Sequence, residues 1–210
     1  MCLFILGTTN SGKSYTFQGT PVSPGIIPRG LKYIFNQVHP KATPCYKIVN
    51  CCDIISLTQQ DGNLEIDLKM KILDNADKNQ HIKTQMQQLF QEELSPQTSQ
   101  GIDDNYTVWI SFAEIYNEAI FDLLWQGNQQ KRPELNLLVD KQGRPYIKGL
   151  TRVCVNSGTE AYKVLLAGQY NLKMAVTGSN SNSSRSHCVF TINLLKHTKE
   201  NDPNSVNLST

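Results

Sequence analysis

Several features that would place this chain in a special class of protein are missing from its sequence. No apolar run approaches the roughly 20 residues that a membrane-spanning helix needs, so an integral membrane protein is not predicted. Charge of one sign is not in excess either, since 20 lysines and arginines stand against 18 aspartates and glutamates, for a formal net charge of +2. We therefore expect neither a nucleic acid nor a membrane as partner, and a polyanion would have to meet a local patch.

Signals for structural metals and disulfides are also missing. The six cysteines contain no C-x-x-C pair and no nearby histidine at zinc-ligand spacing. Reduced thiols of a cytoplasmic protein are the simplest interpretation. The 210 residues are enough for one domain with a hydrophobic core and short for two.

Strand-like and helix-like patterns alternate along the chain, which is typical of an α/β domain. A strand is predicted from Cys2 to Leu6, with a helix beginning at Lys13 or Ser14. The residues from Val108 to Ala113 predict a strand with large side chains on both faces. Ser157 to Glu160 forms a capping box that opens another helix.

The stretch from 40 to 104 differs in composition from both of its flanks. Much of it is rich in glutamine, asparagine and lysine, with one apolar stripe from Ile82 to Leu94 that predicts a short amphipathic helix. The remainder has too few apolar residues to offset the cost of ordering the chain. We therefore expect three parts, namely 1–39, a long and partly disordered insertion at 40–104, and 105–210.

The strongest motif is a glycine-bounded loop that matches G-x-x-x-x-G-K-[ST] in full. Such a loop lies between a strand and a helix, where inward-pointing backbone N–H groups and the helix dipole hold the phosphates of ATP. Lys13 is predicted to reach the β- and γ-phosphates, and the Ser14 hydroxyl to bind Mg²⁺. The predicted nucleotide-binding residues are Gly7, Thr8, Thr9, Asn10, Ser11, Gly12, Lys13 and Ser14.

A second polar loop, Asn180-Ser-Asn-Ser-Ser-Arg-Ser-His187, precedes a predicted strand from Cys188 to Leu195. On composition alone it could be a flexible connector. It could also sense a γ-phosphate, because hydroxyls on a mobile loop can exchange between water, Mg²⁺ and a phosphate oxygen.

Three motifs in this order resemble kinesin motor domains. They are the phosphate loop continuing as Tyr15-Thr-Phe17, the run Ser111-Phe-Ala-Glu-Ile-Tyr-Asn-Glu118, and Asn180-x-x-Ser-Ser-Arg-Ser-His187. Two further features are most similar to the sixth kinesin class, the mitotic kinesin-like and M-phase phosphoprotein branch. They are the residues Asn-Ser-Gly-Lys in the loop and the long insertion. The resemblance implies a P-loop NTPase fold, with a mixed central sheet flanked by helices.

The resemblance also implies roles for the serine-rich loop. Asn180, Ser183 and Ser184 would form the first switch, with Ser183 near the γ-phosphate and Ser184 a second hydroxyl on Mg²⁺. Arg185 would pair with a glutamate of a second switch and close the site around the attacking water. The chain would then belong to an ATP-hydrolysing microtubule motor, a homodimer through a stalk, found in the cytoplasm on spindle or midzone microtubules.

The second switch of the family, Asp-Leu-Ala-Gly-Ser-Glu, does not occur in this sequence. We therefore expect a motor domain truncated at both ends, whose ATPase activity alone is weak. A non-catalytic remnant that only binds a partner is the alternative from a different class.

A predicted hairpin, with strands from Leu135 to Val139 and from Tyr146 to Val155, has two interpretations. Asp140 ends an apolar strand and could bind Mg²⁺ in another kind of P-loop NTPase or phosphotransferase. In the kinesin order, the hairpin faces tubulin instead. The basic residues that would contact acidic tubulin, or simply be solvated, are Lys141, Arg144, Lys148 and Arg152.

Overall fold

The computed structural model describes residues 3, 5, 7–8, 11–20, 22–38, 40, 43–77, 105–128, 131–176, 186–197 and 206–209. Within them the α-helices are α1 (Lys13–Gln18), α2 (Ile26–Gln37), α3 (Gln59–Asp77) and α4 (Gly158–Val176). The strands are β1 (Tyr46–Val49), β2 (Asp53–Ser56), β3 (Asn105–Tyr116), β4 (Ala119–Asp122), β5 (Glu134–Leu135), β6 (Leu137–Val139), β7 (Pro145–Ile147), β8 (Val153–Val155), β9 (Ser186–His197) and β10 (Val206–Ser209).

A six-stranded sheet is built around β3 and β9, which pair antiparallel along their whole length. Strand β10 pairs with the other edge of β9. The free edge of β3 is shared by β4 and β8, and β5 extends the sheet beyond β4. These described pairs are antiparallel, and one isolated parallel bridge joins Pro40 to Tyr106. The predicted α/β fold, a sheet flanked by helices, is confirmed.

Strand β3 buries large side chains on both faces, as its sequence predicts. Val108, Ile110 and Phe112 belong to a core shared with α2, α3 and α4, while Trp109 belongs to a second core against the β1–β2 hairpin. The Trp109 indole is fully buried and donates a hydrogen bond to the Tyr46 carbonyl oxygen at 3.1 Å. The sheet is therefore covered by helices on one face and by a hairpin on the other.

Residues 43–77, which belong to the expected insertion at 40–104, pack against the rest of the described chain. They form β1, β2 and α3, and Tyr46, Ile48 and Ile72 are at most 1% exposed. Helix α3 also reaches α4 through an ion pair between Lys69 Nζ and Glu160 Oε2 at 3.1 Å. Some apolar residues of this segment pack into the two cores, whereas Leu64 and Met70 on α3 are exposed. The predicted stripe from Ile82 to Leu94 lies outside the described residues.

The predicted capping box is present at the start of α4. The Glu160 N–H donates to Ser157 Oγ at 3.1 Å, and the Glu160 carboxylate accepts from the Asn156 N–H at 2.8 Å. A second box, which the sequence reading missed, opens α3. There Asp61 accepts from the Thr58 N–H and hydroxyl at 3.0 and 2.7 Å, and its own N–H donates back to Thr58 Oγ1.

The predicted first strand, Cys2 to Leu6, is not seen at those of its residues that the structure describes. Leu3 and Ile5 lie in no regular element, and Leu3 is 48% exposed. A strand is stabilised by hydrogen bonds to a neighbour, and the described sheet ends at β10 and β5 without pairing to this segment. An apolar pattern alone does not supply that neighbour.

Candidate nucleotide site

The glycine-bounded loop is curled around the lysine of its own motif. Lys13 Nζ donates to the carbonyl oxygens of Gly7 and Thr8, both at 2.6 Å. The Ser11 N–H turns back to the Thr8 carbonyl at 3.2 Å. The ammonium group therefore lies in the concave side of the loop, where the motif predicts that a phosphate binds.

Two glycines of the motif have structural reasons to be glycine. Gly12 has φ 84°, a left-handed conformation that residues with a Cβ rarely adopt. A Cβ at Gly7 would come closer to Ser11 Oγ than the 3.0 Å that Cβ atoms respect. Gly12 is therefore favoured for its backbone conformation, whereas a Cβ at Gly7 would require the Ser11 side chain to shift.

Helix α1 begins directly after the loop, as predicted, with Gly12 as its N-cap. No side chain caps this end of α1, so its first backbone N–H groups donate no hydrogen bond to a capping side chain. The Ser14 hydroxyl has the first-turn position that the motif requires of a Mg²⁺ ligand. The described residues thus fit a Mg²⁺–nucleotide site, while Thr9 and Asn10 lie outside them.

The predicted first switch, with Asn180, Ser183, Ser184 and Arg185, lies outside the described residues. Its roles remain predictions. The structure resumes at Ser186, the first residue of β9, which pairs with Tyr116 at the end of β3.

A buried ion pair that the sequence did not predict lies beside Ser186. Glu114 Oε2 is 2.6 Å from Arg132 Nη2, and Glu114 Oε1 accepts a hydrogen bond from Ser186 Oγ at 2.6 Å. Glu114 belongs to the run from Ser111 to Glu118, and the structure shows it in an ion pair. No local signal connected it to Arg132, because 18 residues separate the two in the chain.

Asp140 forms a turn in the hairpin between β6 and β7. One of its oxygens accepts from the Gln142 and Arg144 N–H groups at 2.9 Å, and the other from Arg144 Nε at 2.6 Å. Partial desolvation opposes the effect, but the hydrogen bonds from Arg144 and Gln142 lower the pKa of this carboxyl group. Both oxygens of Asp140 therefore take part in holding the turn.

The four basic residues predicted to face tubulin differ in their contacts within the described chain. Arg144 is held by Asp140, and Arg152 donates to the Asn50 carbonyl oxygen at 2.6 Å, which ties the chain before β8 to the β1–β2 turn. Burial lowers the pKa of Arg152. Lys141 and Lys148 are exposed, and no side-chain bond of either is seen among the described residues.

The predicted second strand of that hairpin is two strands, β7 and β8. Gly149, with φ 78°, breaks the run between them. The buried Asp122 carboxylate then accepts from the Thr151 N–H at 2.9 Å and holds the chain on its way to β8. The spacing of β-branched residues in the sequence does not reveal a glycine in the left-handed conformation or the buried hydrogen bond that follows it.

Comparisons with known proteins identify the family of the chain. A family model described as "Kinesin motor domain" matches residues 1–210. The Kinesin-like protein subito of Drosophila melanogaster is 38% identical over 208 residues, which cover 94% of this chain and 33% of that protein. The human Kinesin-like protein KIF20A is 32% identical over 243 aligned residues, covering 95% of this chain and 27% of that protein.

Solved structures agree as well. One titled "kinesin 6" superposes with a TM-score of 0.68 at 24% identity, covering 96% of this chain and 54% of that one, which supports the fold. A second, described as a fast kinesin, has a TM-score of 0.55 at 26% identity and covers 96% of this chain and 40% of the other.

The chain belongs to the kinesin motor domain family. The predicted similarity to the sixth kinesin class is also confirmed. The chain spans about a quarter to a third of the length of the curated relatives named above. Of the helices that the structure describes, none is both long and apolar enough to cross a membrane.

Proposed function

We propose that this chain is the phosphate-binding portion of an ATP-hydrolysing, microtubule-based motor. The observation that carries the proposal is the curled loop at Gly7 to Ser14, with the Lys13 ammonium inside it and α1 starting at its end. Membership of the kinesin motor domain family supports ATP as the nucleotide and tubulin as the partner. Mg²⁺ would be bound through Ser14 and Ser184.

The residues of the site have distinct tasks in this proposal. Lys13 exchanges its two carbonyl acceptors for phosphate oxygens, so its charge is already positioned and little reorganisation is needed. Phosphoryl transfer depends mainly on positioning and charge stabilisation. Asn180, Ser183, Ser184 and Arg185 would complete the site when a γ-phosphate is present, as the resemblance implies.

The surroundings of the motor are proposed on the same basis. Tubulin contact would involve the exposed Lys141 and Lys148, with Arg144 and Arg152 shaping the hairpin through their own bonds. Work on spindle or midzone microtubules, and homodimerisation through a stalk, are part of the proposal because the resemblance to the sixth kinesin class implies them.

The experiment is a titration of the purified chain with a fluorescent ATP analogue in the presence of Mg²⁺. The Lys13→Ala variant is compared with Lys71→Ala, which removes the same charge from an exposed position on α3. We expect Lys13→Ala to lose at least tenfold in affinity, equivalent to about 1.4 kcal/mol, and Lys71→Ala to match the wild type.

Two results would count against the proposal. Equal binding by all three proteins would mean that the loop does not hold the phosphates. No binding by the folded wild-type chain would favour the alternative of a non-catalytic remnant.

A further inference from the structure

Two adjacent cysteines occupy the turn between β1 and β2. The thiol of Cys52 donates to Sγ of Cys51, and the two sulfur atoms are 3.5 Å apart. Both residues are partly exposed, and both are free thiols. The turn therefore carries two nucleophilic sulfurs side by side, and we call Cys51 and Cys52 the turn dithiol.

The turn that carries this pair is held from two sides. Asn50, with φ 51°, turns the chain after β1, and its side-chain amide donates to Asp53 Oδ2 at 3.2 Å. The Asn50 carbonyl oxygen accepts from Arg152 Nη2 at 2.6 Å. The backbone beside the sulfurs is therefore fixed before any ligand arrives, which reduces the entropy lost when both sulfurs bind one ligand.

The distance between the sulfurs fits a bridging atom better than a disulfide. A disulfide needs its sulfurs about 2.0 Å apart and its Cα atoms at least about 4.4 Å apart. Adjacent Cα atoms across a trans peptide are only about 3.8 Å apart. A pyramidal trivalent centre with sulfur bonds of about 2.3 Å, as on zinc, and bond angles of about 100° holds two sulfurs about 3.5 Å apart. The observed separation matches this value.

The number of available donors selects among thiophilic ligands. Among the described residues, no group of three or more His, Cys, Asp and Glu side chains is placed to hold a metal ion. An ion that requires four ligands, as structural zinc does, is therefore disfavoured, whereas soft centres that bind thiols remain. A trivalent arsenical carries one substituent of its own and needs only two sulfurs. Two thiols condense with its oxide to form two arsenic–sulfur bonds, and the oxygen leaves as water with the two thiol protons.

The protonation of the pair agrees with such a condensation. Burial raises the pKa of Cys51, and the hydrogen bond and charge of Cys52 add to this effect, although the Arg144 guanidinium opposes it. Disulfide exchange requires a thiolate as the attacking group. Condensation with an oxide instead uses the protons that the two thiols carry.

We infer that Cys51 and Cys52 form a binding site for trivalent arsenicals, which the chain takes up through both sulfurs. The site lies outside the motifs of the nucleotide site. Single thiols elsewhere in the described chain offer less. Cys154 is 3% exposed, and burial raises its pKa to about 12, while Cys45 is partly exposed but is not adjacent to another cysteine in the sequence.

The test measures binding of phenylarsine oxide to the reduced whole chain. An equimolar amount is added in the presence of excess 2-mercaptoethanol, which competes better with attachment through one sulfur than with attachment through two. The bound group is counted by intact-mass spectrometry under non-denaturing conditions. Cys51→Ser and Cys52→Ser each remove one sulfur of the pair, and Cys45→Ser removes a partly exposed thiol outside it.

We expect the wild type and Cys45→Ser to hold one phenylarsenic group per chain. Cys51→Ser and Cys52→Ser should each retain at least about tenfold less, because the second bond then no longer forms within one molecule. Far-ultraviolet circular dichroism checks that each variant is folded.

Two results would overturn this site. One is a folded wild-type chain that holds no phenylarsenic group against the monothiol. The other is wild-type retention by Cys51→Ser or Cys52→Ser, which would mean that other thiols hold the arsenic. Since no nucleotide enters the measurement, either result leaves the proposed function untouched.

Discussion

Gly30 and Gly168 offer the same substitution in two helices with opposite expected outcomes. Both lie inside helices, α2 and α4, where alanine is intrinsically favoured over glycine by about 0.8–1.0 kcal/mol. A Cβ at Gly30 meets nothing within 4 Å. Gly30→Ala should therefore raise the free energy of unfolding by nearly that whole amount.

A Cβ at Gly168 would instead collide with the Phe112 ring. It would lie 2.9 Å from Cε1 and 3.3 Å from Cγ, and closer still to Cδ1. Phe112 is 4% exposed and packs edge-on against Phe190, with ring centroids 5.4 Å apart, so it has little room to retreat. Overpacking typically costs about 1–3 kcal/mol, and subtracting the helix gain leaves a net destabilisation of about 0–2 kcal/mol.

Urea unfolding followed by far-ultraviolet circular dichroism measures both changes. The two variants should differ by about 1–3 kcal/mol in free energy of unfolding, with Gly30→Ala above the wild type and Gly168→Ala at or below it. Equal stabilisation by both substitutions would refute the reasoning, because it would mean that α4 does not lie against Phe112 in the described register.

Three further predictions concern local contacts. The hydrogen bonds from the Thr58 side chain and backbone lower the pKa of Asp61 in the folded chain. The stabilisation of the fold by Asp61 is therefore complete above the unfolded pKa near 3.8 and is lost as the pH falls through the lower folded pKa. In urea titrations, the difference in free energy of unfolding between wild type and Asp61→Asn should disappear below about pH 4. Ser157→Ala removes the cap of α4 and should cost about 1 kcal/mol by the same assay, and no change would mean that the cap contributes nothing. Trp109→Phe removes the bond to the Tyr46 carbonyl and some buried volume, so a loss of about 1–3 kcal/mol is expected, whereas wild-type stability would show that this contact is not formed.

Local patterns were reliable wherever one short segment carries the whole physical cause. The helix after the phosphate loop starts at Lys13 because Gly12 can adopt a left-handed conformation, and both residues belong to one motif. The cap at Ser157 needs only Glu160 three residues later. The two-sided burial of β3 follows from large residues at both alternating positions.

Sequence patterns do not show contacts between residues that lie far apart in the chain. The segment 43–77 is ordered because a few of its side chains meet β3 and α4, which composition cannot show. Arg152, predicted as a tubulin contact, is bound to the Asn50 carbonyl, about a hundred positions earlier in the chain.

The phosphate-loop motif can be recognised from contiguous residues, because its two glycines, its lysine and its serine stand in order just before a helix. The family could be recognised for the same reason. Folding determines which charged side chains are paired with each other. Ion pairs such as Glu114 with Arg132 join segments that are separated in the chain, and they depend on burial and strand register. Such contacts exist only once the sheet has assembled, so no reading of neighbouring residues could have found them.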